Sequence, residues 1–251
     1  MVLSAAAARP LSAGVSTAVL GEVQVWTAGL DHAEDVVDRL AGVLSQDERQ
    51  RAARFYFRRD AMRFIVGRAT LRGILGGSLG VEPGALVFTY GARGKPELGE
   101  PSGWGLQFSV SHSADLAVYA VTHGRRVGVD VERLRPSVEI EAIADRTFSP
   151  RERDTLRRLP PAQRCEGFFN CWTRKEAYIK ALGEGFAYPL ERFSVSLAPG
   201  APARLEAVDD DPSEAAGWTM EALEPPAGFV GAVIVEGPPT RLVCSRWEAS
   251  A

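Results

Sequence analysis

VGVDVE, residues 127–132, decides the fold when it is read with WTRKEAYIKALGEG, residues 172–185. The first stretch alternates with the period of a strand, so Val127, Val129 and Val131 share one face while Asp130 and Glu132 share the other. Their carboxylates stand about 6 to 7 Å apart along such a strand. Two acids side by side repel each other unless water wets them or a cation sits between them. The second stretch has helical period: Trp172, Glu176 and Lys180 form one stripe, and Phe168, Phe169, Ile179 and Leu182 are available as core.

Working outward, the second half continues from this strand through a helical region with a Ser149-Pro150-x-Glu152 capping box and a long helix over Ala162 to Leu182. Strands follow at Phe193 to Leu197, Ala203 to Val208, Trp218 to Leu223 and Phe229 to Val235. The first half has the same order. A strand at Val23 to Thr27 leads into helical pattern over Ala33 to Phe57, then a helix from an Asp60 cap to Leu79. Strands come next at Ala85 to Tyr90, Leu106 to Ser111 and Leu116 to Thr122. The expected fold is α+β: two similar α/β halves, 1–124 and 125–251, related by a pseudo-twofold with a ligand cleft between them. Met1 to Leu20 reads as a loose leader.

A chain of 251 residues, 45% hydrophobic and with a formal net charge of -3, is neither disordered nor a globally basic nucleic-acid binder. Its longest apolar run, Phe229 to Val235, is too short to span a bilayer, and the leader lacks signal-peptide order, so a cytoplasmic location is expected. Cys165, Cys171 and Cys244 show no CxxC spacing and read as reduced core thiols. All but three of the twenty-nine basic residues are arginine. A coding bias accounts for that excess, but not for where lysine survives: Lys95, Lys175 and Lys180. A lysine can give up its proton and an arginine cannot.

Asp130, Glu132 and Glu176 are three hard oxygen ligands suited to magnesium, or manganese in its place, completed by phosphate oxygens and water. Eight arginines between Arg49 and Arg72, against the single acid Asp60 between Arg51 and Arg72, supply counter-charge for a phosphate-bearing ligand, with Arg51 and Arg63 the chosen binders. Lys95 sits on the Gly-framed turn GARGKPEL. In FSVSHS, Ser111 and His112 point to opposite faces of a strand and so form no hydrolase dyad, but each could donate to a phosphate. The same residues would also serve a magnesium-dependent nuclease or a non-catalytic coenzyme- or nucleotide-binding module.

Four ordered blocks, GKP at 94–96, FSVSHS at 108–113, VGVDVE at 127–132 and WTRKEAYIKALGEG at 172–185, resemble the 4′-phosphopantetheinyl transferase superfamily, in its larger pseudo-dimeric surfactin-synthetase type. The resemblance implies coenzyme A bound between two halves and its 4′-phosphopantetheine group transferred to a serine of an acyl or peptidyl carrier protein. Adenosine 3′,5′-bisphosphate is released. It places magnesium on Asp130, Glu132 and Glu176, and the coenzyme 3′-phosphate on Arg51, Arg63 and His112. Ser111 and Lys95 then line the nucleotide site, Lys180 touches the pyrophosphate, and Glu176 and Lys180 act as base and acid. Glu48 departs from relatives that carry a basic residue there. Phe148, Phe168, Phe169 and the loop Gly183 to Tyr188 are expected to receive the carrier, and a monomer suffices to build the cleft.

Overall fold

The computed structural model describes residues 21–91, 96–99, 105–136, 138–183, 188–209, 211–238 and 241–249. In the first half, strand β1 (Glu22–Gly29) is followed by helices α1 (Glu34–Ala41), α2 (Gln46–Ala52) and α3 (Arg58–Leu79). Strands β2 (Phe88–Tyr90), β3 (Pro96–Leu98), β4 (Leu106–Ser113) and β5 (Leu116–His123) complete it. The second half repeats the pattern with β6 (Val127–Arg133), α4 (Ile140–Thr147), α5 (Pro150–Arg158) and α6 (Pro161–Leu182). It ends in β7 (Phe193–Val195), β8 (Leu205–Val208), the short α7 (Pro212–Ala215), β9 (Trp218–Leu223), β10 (Phe229–Glu236) and β11 (Arg241–Arg246).

The sheets carry the repeat further than element order does. One runs β11-β1-β5-β4 and the other β6-β10-β9, so β1, β5 and β4 correspond to β6, β10 and β9, all antiparallel. Helices α3 and α6, 22 residues each, occupy the same place in their halves. The fold is α+β in two halves, as the sequence required. One strand departs from the division at Gly124: β11 leaves the second half and pairs parallel with β1. Trp247 follows it into the first half's core, where a Cβ on Gly73 of α3 would come within 2.4 Å of its ring. Only a residue without a side chain lets the indole lie there.

Each half also buries a carboxylate that joins a capping box to its long helix. Glu48, the third residue of α2, accepts from the Ser45 backbone N–H at 3.0 Å and from Arg72 Nε at 2.7 Å, and Arg72 donates to the carbonyls of Pro83 and Leu86. Glu152 repeats this with Ser149 N–H at 2.7 Å and Lys175 Nζ at 2.8 Å, and Lys175 donates to the carbonyls of Leu190 and Phe193. Arg72 and Lys175 hold the same position in their equal-length helices. All four side chains are 1% exposed. These charges tie a capping box, a long helix and the following loop together, and breaking such a pair costs about 3 to 5 kcal/mol. Glu48 is therefore part of the frame rather than an altered corner of a phosphate site, and Lys175 is structural.

Several local expectations are corrected. The first helical region breaks at Gly42–Ser45, and α3 starts at Arg58, ahead of Asp60. Phe148, Phe168 and Phe169 are each 2% exposed and stack on one another in the second core, so they offer no docking surface. Cys171 is a core thiol, whereas Cys165 is half-buried and Cys244 exposed. No helix among the described residues is long and apolar enough to cross a membrane.

Candidate active site

Strand β4 divides the site. Its even residues Phe108, Val110 and His112 face the first half, and its odd residues Ser109, Ser111 and Ser113 face β6. On the first side lies a cavity of about 600 Å³, lined among the described residues by the first half alone rather than by both halves. Its floor is apolar, with Leu30, Phe64 and Leu71, and its charged wall contains Arg51, Arg63 and Arg68. Arg51 lies over the Phe64 ring at 5.2 Å and Arg68 at 5.9 Å, a stacking that fixes the guanidinium planes. His112 lines the same cavity.

Of the two arginines chosen from sequence, Arg51 lines the cavity over Phe64, while Arg63 is engaged. Its Nε and Nη2 grip Asp31 at 2.6 and 2.8 Å, and Nη1 donates to the Ala114 carbonyl at 3.0 Å. The Arg63 bond holds the Asp31 carboxyl below its ordinary range. The arginine run as a whole is not one anion site: Arg58 pairs with Glu34, and Arg68 and Arg72 with Glu48. Sequence reasoning missed Arg68, which is 9% exposed, borders the cavity and has a buried Nη1 with no hydrogen-bond partner. Lys95 lies outside the described residues.

On the other side of β4, helix α6 crosses β6 at Gly128. A Cβ there would meet the Ala177 carbonyl oxygen at 1.9 Å and the Ala181 nitrogen at 2.6 Å. The glycine shares its strand face with Asp130, so the contact sets Glu176 and Lys180 beside that acid. Asp130 is 5% exposed, and its Oδ1 accepts from Lys180 Nζ at 2.7 Å and from Ser111 Oγ at 2.6 Å. Ser111 thus serves the carboxylate, not the cavity. Burial raises the Asp130 carboxyl, opposed by Lys180. Burial, and next the Asp130 charge, pushes Glu176 up to about 7.

Asp130 Oδ2 and Glu176 Oε1 are buried with no hydrogen-bond partner. Orphaned carboxyl oxygens on two neighbouring acids suit a divalent cation and are costly without one. Glu132, the third acid, is turned to Ser113 Oγ at 2.6 Å and to Arg135 at 3.5 Å. Among the described residues no three acids, histidines or cysteines stand as a finished metal cluster.

Comparison with known proteins gives the family. Residues 126–233 match the 4′-phosphopantetheinyl transferase superfamily, and residues 31–124 match "4′-phosphopantetheinyl transferase, N-terminal". The chain is 46% identical over 222 residues to the 4′-phosphopantetheinyl transferase HetI of Nostoc sp., covering 88% of this chain and 90% of that one. A 4′-phosphopantetheinyl transferase of Bacillus subtilis is 33% identical, over 68% of this chain and 75% of its own. Among solved structures, Thermotoga maritima holo-[acyl-carrier-protein] synthase is similar at a TM-score of 0.33 and 19% identity, over 45% of this chain and 63% of that one. The chain belongs to the 4′-phosphopantetheinyl transferase superfamily.

Proposed function

We propose that the protein transfers the 4′-phosphopantetheine group of coenzyme A to a serine of an acyl or peptidyl carrier protein and releases adenosine 3′,5′-bisphosphate. The observation behind this reading is that one strand, β4, separates an arginine-walled cavity from a buried carboxylate pair. In this reading the nucleotide is held on one side of that strand and its pyrophosphate extends to the other. Family membership supports the same reaction and gives the nuclease and the non-catalytic module no support.

In this reading the first half, 1–124, holds the nucleotide, with Arg51, Arg63 and His112 at the 3′-phosphate and Lys95 at the phosphates. The second half, 125–251, supplies Asp130, Glu132 and Glu176 to magnesium or manganese. When bound, the ion neutralises charge on the pyrophosphate oxygens. Glu176 accepts the proton of the carrier serine as its oxygen bonds to the β-phosphorus and the bridge to the α-phosphate breaks. Lys180, anchored on Asp130, faces the departing phosphate with a positive charge. The chain acts as a monomer in the cytoplasm and takes no nucleic acid as substrate.

Incubating the chain with coenzyme A, magnesium and an apo carrier, then weighing the carrier by intact mass spectrometry, tests the reading. It requires a phosphopantetheine mass gain on the serine. No gain across fatty-acid, polyketide and peptide carriers rejects it.

A further inference from the structure

We propose that Ser113 is a positioning residue for the divalent-ion site, aiming Glu132 through a hydroxyl supplied by the opposite half. The inference rests on the proposed function above and concerns a residue outside its set of ligands and catalytic groups.

Among the described strands β6 ends its sheet, so its outer edge carries backbone N–H groups that no strand pairs. The serine face of β4 lies against that edge. Ser109 Oγ accepts from Val129 N–H at 3.1 Å, and Ser113 Oγ accepts from Arg133 N–H at 3.1 Å. Ser109 and Ser113 thus take edge N–H groups as a strand would, while Ser111 bonds the Asp130 side chain, and the three serines join the two halves.

The serines differ in what they do with their one proton. Ser109 meets only backbone, while Ser113 also donates to Glu132 Oε2 at 2.6 Å. A hydroxyl has one donor and two acceptor sites. With the Arg133 N–H on an acceptor site, the Ser113 proton is directed at Glu132 and its rotor is fixed. Arg135 reaches the same Oε2, at 3.5 Å. Both contacts fall on one oxygen, which leaves Glu132 Oε1 uncommitted among the described residues. Glu132 is 21% exposed, and without Ser113 its carboxylate follows Arg135 toward solvent. The hydroxyl therefore selects which oxygen the third acid presents, as groups behind metal ligands generally do.

The experiment uses the full chain and Mn2+ as the probe, with binding read by electron paramagnetic resonance and folding by thermal melting. Ser113→Ala is expected to weaken Mn2+ binding about tenfold or more, and Ser113→Thr, which keeps the hydroxyl, to restore it. Ser109→Ala removes the equivalent backbone bond without touching an acid, so it should lower the melting temperature and leave Mn2+ affinity unchanged. Should the alanine variant not fold, Ser113→Cys, nearly isosteric but a weak donor, carries the same expectation. Wild-type Mn2+ affinity in Ser113→Ala or Ser113→Cys, or an equal loss in Ser109→Ala, overturns the proposal while the transfer reading stands. A wild-type chain that transfers phosphopantetheine to no carrier and binds no Mn2+ overturns both.

Discussion

Gly128 lies directly beneath Ala177, so close that the strand and the helix touch backbone to backbone. Gly128→Ala puts a methyl group 1.9 Å from a carbonyl oxygen, and no side-chain rotation relieves it. The variant is expected to lose at least about 1 to 3 kcal/mol in urea unfolding, the usual cost of overpacking. It should also lose transfer activity, because α6 carries Glu176 and Lys180 away with it. Wild-type stability would show that the helix does not sit there.

Replacing the buried acids of the frame separates structure from chemistry. Glu48→Ala and Glu152→Ala each strand a buried cation, and each is expected to cost about 3 to 5 kcal/mol in denaturant unfolding. Glu152 pairs with no residue of the cavity, so a Glu152→Ala variant that still folds should keep its KM for coenzyme A, whereas Glu48→Ala also releases Arg68 at the cavity wall and should raise it only slightly. A large rise in that KM with unchanged stability for Glu48→Ala would return this residue to the phosphate site.

Glu176→Gln preserves shape but not the ability to take a proton. Transfer to an apo carrier, followed by mass, should fall about 10²- to 10⁴-fold, the range of general acid and base groups. Melting should not fall, since the neutral amide no longer asks a buried site to hold a charge. Undiminished transfer removes Glu176 from the mechanism.

Arg51→Ala is expected to weaken coenzyme A by about 10-fold or more, the scale of one lost charge-assisted hydrogen bond. Dephospho-coenzyme A should be little affected. Calorimetric titration of both ligands decides this, and equal losses would move Arg51 away from the 3′-phosphate.

Acid stability reports on Asp31. Its carboxyl is held low in the folded chain by Arg63, so the stabilisation is present above the ordinary carboxylate range and disappears as pH falls through the lowered folded value. Asp31→Asn should therefore flatten the acid limb of the melting profile below about pH 4 and leave its slope at neutral pH unchanged. An unaltered acid limb means that the ion pair does not persist in solution.

Much of this was legible before any coordinates. VGVDVE announces itself because a period of two needs no partner to be seen, and the buried valines 127, 129 and 131 fall as that alternation required. The stripe of Glu176 and Lys180 reads equally well. What stayed hidden depends on distant partners. Gly128 looks like any small residue until a helix lies on it. Glu48 looks like a local capping group, because its cation lies in the next long helix. The aromatics Phe148, Phe168 and Phe169 have the spacing of core and of surface alike, and only the neighbouring helices settle them inside. Strand β11 is a short run whose partner, β1, lies at the far end of the chain.

That last pairing bears on synthesis. The strand that fills the open side of β1 is translated after every element of the second half, as is the indole that seats on Gly73. A chain emerging from the ribosome consequently exposes an unguarded sheet margin until the later half has been made, and the earlier half completes its sheet only then.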